Sequence, residues 1–176
     1  SHFSQEEIRA AVEEAENMGS YVSTHAQATR GIKMALKNGV KCIEHGFYLD
    51  EECIELMVKN DCYLVPTLAI MHASKLYFQG KEGVLPYLKE KTERSYEAHY
   101  RSLEMARKAH ITVGVGCDFL GDAAFGCPYS EATLELERLC VAGYTPMEVI
   151  TMATKVNARL LQMEEQLGTL ETGKLA

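Results

Sequence analysis

Hydrophobic and polar positions along this chain repeat one phrase. An amphipathic stripe ends at a glycine or polar stop, a short apolar run follows, and the run closes on a residue able to do chemistry. The first stripe opens at Ser4, where Glu7 three residues on makes the pattern of a capping box. Ile8, Ala11, Val12, Ala15 and Met18 follow at helical spacing, and Gly19 stops the helix. The run Tyr21-Val22-Ser23-Thr24 then delivers His25. A second helix through Ile32, Ala35 and Leu36 stops at Asn38-Gly39, and the run from Val40 to Glu44 delivers His45. Asp50 caps a third helix, with Cys53, Ile54, Met57 and Val58 facing inward, and Cys62-Tyr63-Leu64-Val65 leads to Pro66-Thr67.

A longer excursion rich in tyrosine and charge settles into a helix marked by Tyr96, Tyr100, Leu103 and Ala106. The run from Ile111 to Cys117 then delivers Asp118. One further helix is expected from near Ser130 to Gly143. Another opens with Thr145-Pro146-Met147-Glu148 and has the stripe Val149, Ile150, Ala153, Val156, Leu160 and Leu161. Strand and helix alternate through short connections, which predicts an α/β fold with a parallel sheet and crossover helices. The runs are largely apolar, so the strands are expected to be buried on both faces. No Gly/Ser linker or low-complexity tract interrupts residues 1–176, which read as one domain with no internal boundary.

Composition narrows the function classes. The net charge of −7 is spread over helical faces, the opposite of the basic stripe that nucleic-acid binding needs. No run of 18 apolar residues provides a membrane span, and no charged n-region with an apolar stretch opens the chain. The six cysteines form no C-x-x-C pair and several sit in apolar runs. They read as reduced thiols, which points to the cytoplasm.

In parallel α/β folds the functional end of each strand is its C-terminal end. His25, His45 and Asp118 all fall there, so one sheet edge would gather two imidazoles and a carboxylate. Zinc and similar divalent ions favour these donors. The residues are one or several strand–helix units apart, unlike the single helix face of H-E-x-x-H.

With these residues in place, the chain resembles the amidohydrolase superfamily. His25 in S-T-H-A, His45 in I-E-H-G and Asp118 in G-V-G-C-D resemble the ends of its strands five, six and eight, and Pro66-Thr67 the end of strand seven. Thr154, Asn157 and Ala158 match its T-x-x-N-A helix, and Gly168 to Ala176 is similar to its G-x-L-x-x-G-K-x-A segment. Within the superfamily the likeness is to the prolidase and carboxypeptidase-like group.

The resemblance implies the C-terminal half, strands five to eight, of a (β/α)8 TIM barrel. It also implies a divalent metal, zinc or manganese, as one or two ions held in part by His25, His45 and Asp118. A metal-bound hydroxide would hydrolyse a C–N bond of a dipeptide or acyl-amino acid, with Asp118 as the catalytic proton carrier. The first strand's H-x-H pair and the strand-four lysine or carboxylate belong to an N-terminal half that these residues do not include. The parent protein is expected to be a homo-oligomer without nucleic-acid or membrane partners.

Tyr48, in the loop after His45, is a candidate donor to a substrate carboxylate or oxyanion. Arg30, near a helix start on the same side, is a candidate carboxylate partner, and His72 is a loop residue that could line the pocket. His110 reads as structural, His99 as part of a helix surface, and His2 stays unassigned. Cys117 reads as a packed thiol. Two alternatives stand beside this reading. One is a mononuclear deaminase or cyclic-amide hydrolase on the same barrel, and the other a degenerate barrel serving as an assembly module.

Overall fold

The structure is a computed structural model that describes residues 3–119 and 129–175. His2, Cys127 and Ala176 lie outside them. Eight α-helices and four strands are described: α1 Gln5–Asn17, β1 Ser23–Ala26, α2 Thr29–Lys37, β2 Cys42–His45, α3 Glu51–Lys59, β3 Tyr63–Val65, α4 Leu68–Gly80, α5 Pro86–Lys108, β4 Thr112–Val113, α6 Leu134–Val141, α7 Pro146–Thr151 and α8 Asn157–Leu160. A 3-10 turn, Tyr129–Glu131, precedes α6, and a π turn, Met152–Val156, joins α7 to α8. Among these elements no helix is long and apolar enough to cross a membrane.

The chain divides into two compact units, residues 1–66 with 97–112, and residues 67–96 with 113–176. In the first unit β1 pairs parallel with β2, and β2 with β3, in the register Ser23–Cys42–Tyr63. The sheet order is β1-β2-β3-β4, with Thr112 of β4 the last residue of this unit. A helix bridges each of these parallel steps, α2 between β1 and β2 and α3 between β2 and β3, as the return from one strand's end to the next strand's start requires. Ile32, Leu36, Ile43, Met57, Leu64 and Leu103 are fully buried and form the core under the sheet. At roughly 1.5–3 kcal/mol for each such side chain, this burial is the main source of stability. Lys33 of α2 reaches Asp50 and Glu52 at 2.6 Å each, tying α2 to the start of α3. The Lys33 ammonium and the Cys53 N–H hold Asp50 down to about 2.

Three helix starts follow the sequence. Ser4 with Glu7 and Thr145 with Glu148 form complete capping boxes, and Asp50 caps α3. Several expectations need correction. The first strand begins at Ser23, two residues later than its apolar run, and Ser23 and His25 are exposed rather than buried on both faces. The last strand keeps only Thr112 and Val113 of the run from Ile111 to Cys117, because the glycines at 114 and 116 do not hold a ladder. The excursion is two helices, α4 and α5. The helix expected from Ser130 begins at Leu134. On α1 only Val12 is buried, while Met18 is 84% exposed, and Val58, Ile150 and Leu161 also face outward.

In the second unit α4 packs on α6 and α6 on α7. Ala69, Ala73 and Phe119 form a buried cluster, with Ile70, Cys117 and Leu134 against it. The Cys117 thiol is thus packed, as its apolar setting suggests. Cys42, Cys53, Cys62, Cys117 and Cys140 are all free thiols. Burial pushes Cys42 up to about 12 and Cys53 and Cys62 up to about 11, so all three stay protonated.

Candidate functional site

The ends of β1 and β2 bring His25 and His45 together. His25 Nδ1 and His45 Nε2 lie 2.5 Å apart, with ring centroids 4.7 Å apart and planes tilted by 33°. Strand alternation alone would not produce this contact. His45 pairs in register with Ala26, and His25 with Glu44, so alternation puts His45 on the sheet face opposite His25. The backbone at His45 is left-handed, φ 75°, and this is where alternation breaks. Gly46 continues the turn at φ 62°, and a Cβ there would lie 2.8 Å from Leu64 Cδ1. The Gly of I-E-H-G is therefore favoured by its left-handed backbone, and a side chain there would also have to displace the Leu64 methyl.

Left-handed backbone at non-glycine residues sorts into two groups among the described residues. Asp61, His110 and Gln162 each follow the end of a helix. There the next N–H reaches back to the carbonyl of Met57, Ala106 or Ala158, which are ordinary helix stops. His45 instead ends β2, and Thr67 and Asp118 come after β3 and β4, with φ of 75°, 55° and 56°. Such residues cost about 1–3 kcal/mol each and concentrate at functional sites. Two of the three carry candidate metal-binding side chains.

The loop after β2 is pinned around Tyr48. The Tyr48 N–H donates to Gln27 O at 3.0 Å, and Tyr48 O accepts from Thr29 Oγ1 at 2.6 Å. On α5, Ser102 Oγ donates to Phe47 O at 2.8 Å and accepts from Leu49 N–H at 2.9 Å. One buried hydroxyl thus holds the peptide groups on both sides of Tyr48. The ring of Phe47 bridges His45 at 5.6 Å and His99 at 4.4 Å. His99 is only 1% exposed, which corrects its expected place on a helix surface. Burial, then the nearby His45, lowers its pKa to about 3, so it is a neutral ring. Sequence reasoning missed His99 and Ser102 because it followed only the stripe Tyr96, Tyr100, Leu103 and Ala106 along α5. Ser95, Ala98, His99, Ser102 and Ala106 are the buried face, at helical spacing, and small polar residues carry much of it.

Asp118 lies in the second unit, exposed, just beyond β4. Three residues before it, Val115 N–H donates to Asn157 Oδ1 and Asn157 Nδ2 donates to Val115 O, both at 2.9 Å. His72 is also in this unit, on α4 rather than in a loop, half-buried with its ring 6.1 Å from that of Tyr96. Burial and then Arg138 lower its pKa. Arg30 sits in the first turn of α2 and, with Gln5, Lys33 and Lys37, lines an open cleft of about 490 Å³.

Two imidazoles whose ring nitrogens converge fit a divalent cation by donor type. Sharing one ion would ask the two nitrogens, 2.5 Å apart, to open to make room for it. Among the described residues no group of three or more His, Cys, Asp or Glu side chains is clustered closely enough to hold a metal.

The amidohydrolase family profile matches residues 1–176. Ochratoxinase from Aspergillus niger is 32% identical over 154 residues, 88% of this chain and 30% of its own length. A putative prolidase from Bifidobacterium longum superposes with a TM-score of 0.87 at 32% identity, covering 98% of this chain and 44% of that one. A Xaa-Pro dipeptidase with methionine bound in its active site superposes with a TM-score of 0.82 at 30% identity, covering 99% and 42%. The chain therefore spans less than half the length of each of these relatives.

Proposed function

The chain belongs to the amidohydrolase family, and from that premise we propose that it supplies strands five to eight of a (β/α)8 barrel whose activity is hydrolysis of an amide C–N bond. The substrates are dipeptides or acyl-amino acids, a class favoured by the likeness to a Xaa-Pro dipeptidase and a putative prolidase. The observation that carries the reading is the His25–His45 contact at two neighbouring strand ends, made through a left-handed backbone. Residues 1–176 are read as part of one domain, in a cytoplasmic homo-oligomer.

His25, His45 and Asp118 would hold a divalent ion, zinc or manganese, as one or two ions. The ion, when bound, acidifies a water and polarises the scissile carbonyl at neutral pH. The protein's own residues do the rest. His25 and His45 aim their imidazole nitrogens at one point. Asp118 accepts the proton of the attacking water and passes it to the leaving amine, which departs neutral. Tyr48, on a loop held at four backbone positions, donates to the substrate carboxylate or to the oxygen that gains charge. Arg30 and His72 are the further substrate contacts, Arg30 pairing with a terminal carboxylate.

Asp118→Asn tests the central role. The variant keeps the shape of the side chain and loses its capacity to take a proton. Turnover of a Xaa-Pro dipeptide is expected to vanish while circular dichroism and melting temperature stay at wild-type values. Substantial residual turnover contradicts the assignment.

A further inference from the structure

We infer that Asn157 is the positioning residue for Asp118, acting as a one-residue substitute for a neighbouring strand; this rests on the assignment of Asp118 to proton transfer. The regular ladder of β4 stops at Val113, and Asp118 comes five residues later. Between them Val115 gives both of its backbone groups to a single side chain, each at 2.9 Å. A planar carboxamide carries a donor and an acceptor side by side, which is what a strand edge offers and asks for. A carboxylate in its place would set oxygen against the Val115 carbonyl, and an aliphatic side chain would leave both groups unpaired. Downstream of Val115, Cys117 packs on the Ala69 and Ala73 cluster, and Phe119 is buried within it. Asp118 is therefore held from both sides, by Asn157 through Val115 and by the seat of its two neighbours.

Asn157 is itself fixed. It opens α8 where the π turn Met152–Val156 ends, and π turns often mark functional positions in helices. Thr151 and Thr154 return hydroxyl bonds of 2.8 and 2.7 Å to the carbonyls of Met147 and Ile150. Gly168 lies against the same turn. A Cβ on it would fall 2.6 Å from Ala158 Cβ and 3.0 Å from both Lys155 Cα and Thr154 O, and its φ is 88°. The T-x-x-N-A helix and the glycine that opens the tail are thus two parts of one support, with the Asn157 amide at its tip.

The experiment uses the complete, metal-loaded protein with a Xaa-Pro dipeptide as probe substrate. In Asn157→Ala, kcat is expected to fall about 10–100-fold, the range typical of lost support behind a reacting group. KM should stay within about two-fold, because substrate contacts are untouched, and metal content by elemental analysis should be retained. Hydrogen exchange at the Val115 amide should accelerate while that of Ile43 in β2 stays slow. Gly168→Ala, which leaves Asn157 in place but presses on its turn, should change kcat in the same direction. Asn157→Asp retains the acceptor for Val115 N–H and loses the donor, and it carries the test if the alanine variant does not fold. Wild-type kcat, or unchanged exchange at Val115, overturns the proposal. Asp118→Asn measured in parallel separates the two claims. An inactive Asp118→Asn beside a fully active Asn157 variant sinks only the positioning role, whereas an active Asp118→Asn sinks the reading it rests on.

Discussion

His45 shows how one residue can be legible in type and illegible in conformation. Its place at the end of an apolar run followed from the sequence, but its left-handed backbone did not, since that region is uncommon for any non-glycine residue even though histidine is enriched there. The following glycine is the one local hint, and it is shared by many turns. The same limit hid Ser102, a serine in the middle of a charged helix with no pattern to single it out. Its hydroxyl holds both peptide groups around Tyr48. Ser102→Ala leaves a buried carbonyl and a buried N–H without this partner, so stability should drop by about 1–3 kcal/mol in urea unfolding. The loop should loosen as well, and KM for a dipeptide should rise more than kcat falls. A variant with wild-type midpoint and wild-type KM would show that the clamp is idle.

Among the elements, those with amphipathic stripes and paired caps were readable, and those set by a distant partner were not. Helices α1, α3 and α7 start where their Ser, Asp and Thr caps stand. Helix α4 has no cap of its own, because Thr67 makes no side-chain bond to it. Glu135 of α6, fully buried, supplies one instead and accepts from Leu68 N–H at 3.0 Å and Ala69 N–H at 2.6 Å. A carboxylate 67 residues along the chain from the N–H it caps cannot be recognised from local sequence. Burial pushes Glu135 up to about 7, and the two N–H groups only partly offset that rise. Because the folded state binds this proton more tightly than the unfolded chain, the group's contribution to stability is full below about pH 4.5. It declines as pH rises toward about 7 and is constant above. Melting temperature measured from pH 4.5 to 7.5 should therefore fall more steeply in the wild type than in Glu135→Gln, which has no proton to lose. Parallel curves would refute the assignment.

For the whole molecule, the alternation of strand and helix predicted the parallel sheet, and the order β1-β2-β3-β4 agrees with it. What the sequence concealed was how little of each apolar run is regular strand: four residues at most, and two at β4. The residues at the strand exits are organised by backbone turns and by side chains from helices, such as Asn157 and Ser102, rather than by the sheet ladder. The chemistry proposed for these exits depends on a divalent ion held partly by His25 and His45. Elemental analysis of the complete protein, purified without chelator, tests this most directly when the wild type is set beside a His25→Ala/His45→Ala double variant of unchanged fold. The account predicts one or two equivalents of zinc or manganese per chain in the wild type and the loss of at least one in the double variant. A wild type that holds no metal even after supplementation, or a double variant that keeps the full complement, would contradict it.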